Sequence, residues 1–280
     1  MATAVARYTA AALTDRGRKR ASNEDAFGYS AEHGVYLVCD GMGGANAGEI
    51  ASALAIEEVL RLITERLNTF QDTRRETGSA TLSEAQSGES SAILPQIARE
   101  AVAAANEAIH SRGQRNLRLS GMGTTLVGLL TGLPDGQSGE DSRVWVLNVG
   151  DSRCYRLRKG QIEQISHDHS LVDEQVRMGR MTRAEAARSP MRNVITRALG
   201  TQPSVTPDVM EVEVQPGDLF LLCSDGLTRH LSDEKLESIL APSQSAPQAA
   251  SLDELCTRLI DAANKGGGHD NITSLLVRVD

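Results

Sequence analysis

Apolar residues recur at every third or fourth position over 47–67, 93–110, 171–178, 232–240 and 252–264, the spacing of one helix face, and predict five helices. Ser232 and Glu234, set just before an apolar stripe, read as a helix start. Short runs rich in β-branched and aliphatic residues predict ten strands, at 8–13, 26–30, 35–39, 124–130, 144–149, 153–157, 161–165, 209–214, 219–223 and 272–279. The strands come in clusters and the helices in pairs, without regular alternation. That order argues against a doubly wound parallel sheet and for an α+β layered domain; two antiparallel sheets flanked by helices fit it.

Two polar stretches interrupt the pattern. Residues 71–91 contain Leu82 and no other large apolar residue, which predicts a mobile loop between helices and not a domain boundary. Residues 241–250 read as a second surface connection. The expectation is therefore a single domain over 1–280.

Composition narrows the class of partner. Hydrophobic residues at 40% and charged residues at 24% suit a packed globular chain. Aromatics at 3% and a net charge of −8 leave little for stacking on bases or attracting a phosphate backbone, so no nucleic-acid partner is expected. Cys39, Cys154, Cys223 and Cys256 form no C-x-x-C pair, and the first three sit in or beside strand-like runs, as buried thiols of a reducing compartment would. No basic segment followed by an apolar one opens the chain, and no apolar run approaches the roughly 18 residues needed to cross a bilayer. A cytoplasmic protein without a membrane partner is the expectation.

The chemistry lies in where the aspartates fall. The run 35–39 passes straight into Asp40 and Gly41, 144–149 ends at Gly150 and Asp151, and 219–223 ends at Ser224, Asp225 and Gly226. Residues 266–271, with Asp270, lead into the run 272–279. Each aspartate alone is better explained by a turn or cap. Together they could converge on one edge of a shared core, where clustered anions require cations. Oxygen ligands without paired Cys or His favour the hard ions Mg²⁺ or Mn²⁺ over Zn²⁺. Nearby, 14–25 joins a basic cluster to Glu24 and Asp25, and an arginine fork beside a metal cluster suits a phosphate.

These segments resemble the metal-dependent protein Ser/Thr phosphatases of type 2C, the PPM family, in its short bacterial form. The matching stretches are TDRGRKRASNEDAF (14–27), VCDGMGGANAGEIAS (38–52), GMGTTLVGLL (121–130), LNVGDSRCYRLRKG (147–160), ISHDHSLV (165–172), NVITRALG (193–200), GDLFLLCSDGL (217–227) and GGGHDNIT (266–273). They follow the family's order and cover nearly the whole chain. The resemblance implies a β-sandwich of two antiparallel sheets flanked by helices, in α-β-β-α layers, with a two-metal centre at one end. It implies that Asp40 bridges two Mn²⁺ or Mg²⁺ ions and that the Gly41 carbonyl binds one of them. Asp225 and Asp270 would ligate the first ion, with Glu24 and Asp25 acting around the centre, partly through waters. Asp151 would join Asp225 at a third, weaker metal site, and Arg20 would bind phosphate. The implied reaction is attack on phosphoserine or phosphothreonine of a protein by water activated between the two ions, with no covalent enzyme intermediate. Phosphorylated proteins, a cognate kinase acting on the same substrates and a monomeric state complete the expectation.

The sequence departs from the family at two points. Met42 and Ala45 stand where relatives carry histidines, one of them a suspected general acid, while His169 and His269 lie inside matching motifs. Residues 179–192, with four arginines, match the position of a variable flap beside the active site and could help to hold phosphorylated protein.

Three other readings compete. Cys223, Gly226 and Arg229 match the C-x-x-G-x-x-R loop of cysteine-dependent phosphatases, but Asp225 inside that loop opposes both thiolate and dianion. The glycines of 41–48 lack the G-x-G-x-x-G spacing of a dinucleotide site. A catalytically dead phosphoprotein-binding module would have lost a metal ligand, and Asp25, Asp40, Asp151, Asp225 and Asp270 are all present.

Overall fold

The computed structural model describes residues 8–43, 47–76, 84–131, 143–241 and 250–280, with the side chains of 74–76 and 84–92 left out. Two antiparallel sheets pack face to face. One sheet is ordered β1 (Tyr8–Asp15), β11 (Ile272–Val279), β10 (Leu219–Cys223), β7 (Arg153–Arg158), β8 (Gln161–Gln164). The other is ordered β2 (Asp25–Ser30), β3 (Val35–Met42), β5 (Leu126–Leu130), β6 (Arg143–Val149), β9 (Asp208–Glu213), with the two-residue β4 (Gly123–Thr124) paired to the end of β3.

The long helices α1 (Ala47–Glu76) and α2 (Glu84–Arg115) cover the outer face of the second sheet. α6 (Asp233–Leu240) and α7 (Leu252–Lys265) cover the first. The layers are those expected from the sequence, and the alternation within single strands shows why. On β3, Val35, Leu37 and Cys39 face α1 and α2, while Tyr36 and Val38 face the other sheet. On β10, Leu219, Leu221 and Cys223 face the outer helices, and Phe220 and Leu222 face inward. Both faces of each central strand are buried, so these strands read as unbroken apolar runs. Burial of Tyr36 and Phe220, both 0% exposed, contributes about 2 kcal/mol each by area.

The loop expected at 71–91 is a correction. α1 runs on to Glu76 and α2 begins at Glu84, so both flanks are helical; 77–83 lie outside the described residues. Helix propensity needs no apolar stripe, and Arg74, Arg75, Glu76, Glu84, Ala85 and Gln86 are good helix formers. Pro95 suited a helix start near residue 93, yet it sits inside α2.

The short α5 (Asp225–Thr228) and α4 (Arg183–Arg188) escaped the periodicity, being too brief to show one. α4 follows α3 (Leu171–Arg177) and forms part of 179–192, where Arg180, Arg183, Arg188 and Arg192 are exposed. Its start is fixed by a reciprocal cap between Thr182 and Glu185. Ser232 caps α6 as expected, through the backbone N–H of Lys235.

Candidate metal centre

The sandwich brings its acidic strand ends to one edge. Asp25 opens β2 and pairs in register with Asp40, near the end of β3. Asp151 lies in the turn from β6 to β7, where the chain crosses between sheets. Asp225 follows β10 and Asp270 precedes β11, strands that are neighbours in the first sheet. Each is set down where a strand meets a turn, so the convergence follows from the topology.

Small hydroxyl and amide groups hold the acids in place. Asp25 Oδ2 accepts from Ser224 Oγ and Thr273 Oγ1, both at 2.7 Å, which ties the second sheet to the first. The Asp40 N–H donates to Thr125 Oγ1 at 2.9 Å, and its carbonyl accepts from Thr124 Oγ1 at 3.0 Å. Asp270 accepts from Arg20 at 2.8 Å and from Arg229 Nη1 at 2.8 Å, and Arg229 also pairs with Asp225.

Asn271 organises the neighbouring basic turn. Its Oδ1 accepts from the Glu24 N–H at 2.8 Å, and its Nδ2 donates to the carbonyls of Arg16 and Ser22 at 3.0 and 2.9 Å. Gly17, at φ +75°, lies so close to the Asp270 carbonyl that a Cβ would come within 2.0 Å of it, so only glycine fits. Gly41 is equally confined: a Cβ would meet the Gly48 carbonyl oxygen at 2.2 Å and that of Glu24 at 2.5 Å.

Crowding of like charges in a buried site makes these acids hard to ionise. Burial, and then the neighbouring carboxylates, push Asp40 well above the ordinary carboxylate range. Asp25 and Asp151 are each pushed up to about 7 by burial first, and Asp225 is raised for the same cause. Burial raises Glu24 as well, while Arg20 opposes the rise.

Three buried carboxylate oxygens, Asp25 Oδ1, Asp151 Oδ1 and Asp225 Oδ1, have no hydrogen-bond partner among the described residues. An orphaned buried anion is costly, and three around one pocket call for cations. The donors are all oxygen, with a glycine carbonyl close by, so the group that fits is a hard divalent ion. As the side chains stand, no three His, Cys, Asp or Glu residues among those described form a ready ligand set, and arginines engage Asp225 and Asp270.

Every acid singled out in the sequence is thus at or beside this edge, as is Arg20. The histidines divide. Buried His169 accepts the Gly150 N–H at Nδ1 (3.1 Å), and its Nε2 lies 3.2 Å from Asp208, a structural role behind the Asp151 turn. His269, next to Asp270, stacks on His230 with ring centroids 5.1 Å apart. Met42 pairs with Gly123, and Ala45 lies outside the described residues. Sequence reasoning missed Ser224, Thr273, Thr125 and Asn271. Each had one faint signal, a small polar residue directly beside a motif acid or at a strand start.

The cysteine-phosphatase loop does not form. Cys223 is fully buried, burial pushes its thiol up to about 12, and Arg229 is bound to carboxylates. A thiol so disposed stays protonated at neutral pH.

Fold and site together define a class: α-β-β-α sandwiches built around an all-oxygen acidic centre. The chain belongs to the protein phosphatase 2C family, whose model matches residues 14–261. It is 35% identical over 270 residues to the serine/threonine phosphatase stp of Listeria monocytogenes, covering 95% of this chain and 94% of the relative. It is 36% identical over 277 residues to the serine/threonine protein phosphatase PstP of Mycobacterium tuberculosis, covering 99% of this chain and 46% of that protein. Its structure matches the PstP catalytic domain in complex with two manganese ions at a TM-score of 0.74 and 34% identity, over 98% of this chain and 99% of that one. Among the described residues no helix is long and apolar enough to cross a membrane.

Proposed function

We propose that this chain hydrolyses phosphoserine and phosphothreonine on proteins at a binuclear Mn²⁺ or Mg²⁺ centre, opposing a Ser/Thr protein kinase. The observation that carries this is the trio of orphaned, buried carboxylate oxygens at one end of the sandwich. Asp40, Asp225 and Asp270, with the Gly41 carbonyl, would hold the two ions, Glu24 and Asp25 acting around them. Asp151 with Asp225 would hold a third. When bound, the ions supply an acidified water and positive charge against the phosphoryl oxygens.

The chain's own residues do the rest. Asp25, clamped between Ser224 and Thr273, keeps the ends of the two sheets at fixed spacing. Arg20 is exposed and hinged on Asp270, so its planar fork can reach a phosphate while remaining at the rim. The phosphatase 2C relatives support this substrate class, their names describing serine/threonine phosphatases.

The direct test is hydrolysis of phosphoserine, phosphothreonine and phosphotyrosine peptides in EDTA, Mg²⁺ or Mn²⁺. Turnover of the first two that needs a divalent ion is expected; metal-independent turnover sinks the reading. In the same assay, deleting 179–192 is expected to leave a small phosphoester's kcat/KM within about threefold while cutting phosphoprotein turnover roughly tenfold or more, since that segment's exposed arginines would add surface for binding phosphorylated protein. Equal losses on both substrates would remove the segment from substrate binding.

A further inference from the structure

Arg229 occupies the place of a cation, and none of the roles above accounts for it. It lies four residues after Asp225, one helical turn on, and its guanidinium spans acids from two strands: Asp225 after β10 and Asp270 before β11. Asp270 has both oxygens engaged, by Arg20, Arg229 and the Asn271 N–H at 2.9 Å. Asp225 gives Oδ2 to Arg229 and keeps Oδ1 as a buried orphan. Arg20 differs, since among the described residues its ion pair is with Asp270.

We infer that Arg229 is a built-in counter-cation, a positioning residue that competes with the divalent ions for Asp225 and Asp270. It keeps the metal-free pocket assembled and limits how tightly metal is held. This rests on the metal-centre reading above.

The argument is electrostatic and steric. A guanidinium and a divalent ion draw on the same lone pairs and repel each other, so an ion that takes Asp225 Oδ2 or Asp270 Oδ2 weakens or displaces the Arg229 pairing. The side chain is 37% exposed and has solvent to swing into, whereas the two aspartate side chains are 12% exposed and stay. Ion pairs that bridge two strands of a like-charged cluster hold the metal-free edge together. A positive charge this close also repels any arriving cation. The opposite expectation is equally physical: groups outside the ligand shell often orient ligands, and their loss then weakens metal binding by roughly 10–100-fold.

Calorimetric titration of the full chain with Mn²⁺, in wild type, Arg229→Gln and Arg229→Lys, separates the two. Competition predicts that Arg229→Gln binds Mn²⁺ about tenfold tighter or more, on the scale of such neighbouring groups. It also predicts a lower Tm in EDTA. Arg229→Lys, which keeps the charge but not the fork, is expected in between. Unchanged or weaker Mn²⁺ affinity in Arg229→Gln overturns the inference. If that variant survives purification only when loaded, Mn²⁺ is withdrawn with a graded chelator: harder stripping than from wild type supports competition, easier stripping overturns it. A wild-type chain that takes up no Mn²⁺ overturns the metal-centre reading and this inference with it, whereas normal wild-type uptake with an indifferent variant overturns this inference alone.

Discussion

Asp225→Ala is expected to lower kcat/KM on a phosphoserine peptide by at least about a thousandfold, or about 4 kcal/mol of transition-state stabilisation. Asp225 acts electrostatically on Asp40, is paired with Arg229, and carries an orphaned buried oxygen. One truncation therefore disturbs both Asp40, the proposed bridging acid, and the Arg229 pairing. The loss should fall on kcat as well as KM, because the group acts on the reacting centre and not on the peptide. Its effect on folding should be small, or even favourable without metal. Asp225 is a carboxylate among carboxylates, raised above its ordinary range by burial, and Arg229 retains Asp270 when it is gone. A folded variant with near-wild-type turnover would remove Asp225 from the centre.

Metal removal should reverse the way stability depends on pH. Asp25 and Asp151 are pushed from 3.8 to about 7, so between about pH 4 and 7 the folded, metal-free chain keeps protons that the unfolded chain has already lost. Stability without metal therefore falls as pH rises through that window. Divalent ions offset the carboxylate charge and favour the ionised forms, so their benefit should grow over the same range. Each pKa unit so relieved is worth about 1.4 kcal/mol, or roughly 2–3 °C of Tm in a chain of this size. Melting curves in EDTA and in Mn²⁺ at pH 5.5, 6.5 and 8 should diverge steadily with pH. A constant gap, or one that narrows, would mean the carboxylates are not what the ions neutralise.

Much of the fold was legible because the core strands advertise themselves. Runs such as 35–39 and 219–223 are buried on both faces, so every residue in them had to be apolar. Helix ends were less legible: α1 and α2 run past their apolar stripes, where pattern carries no signal. The acids of the site were visible because a carboxylate abutting an apolar strand is conspicuous. What holds them was not. Ser224 and Thr273 are ordinary turn and strand residues until the two sheets meet and both hydroxyls reach Asp25. Arg229 was legible only as part of a thiol-phosphatase pattern, and its pairing with Asp225 and Asp270 depends on α5, a helix too short for periodicity.

Diffraction at the manganese absorption edge from crystals soaked in Mn²⁺ addresses the metal centre without relying on turnover. Two strong anomalous peaks are expected at the Asp25–Asp40 end of the sandwich, with Asp40 touching both and Asp225 and Asp270 sharing one, and a weaker third beside Asp151 and Asp225. Peaks elsewhere, or none while Arg229 still bridges Asp225 and Asp270, would contradict it.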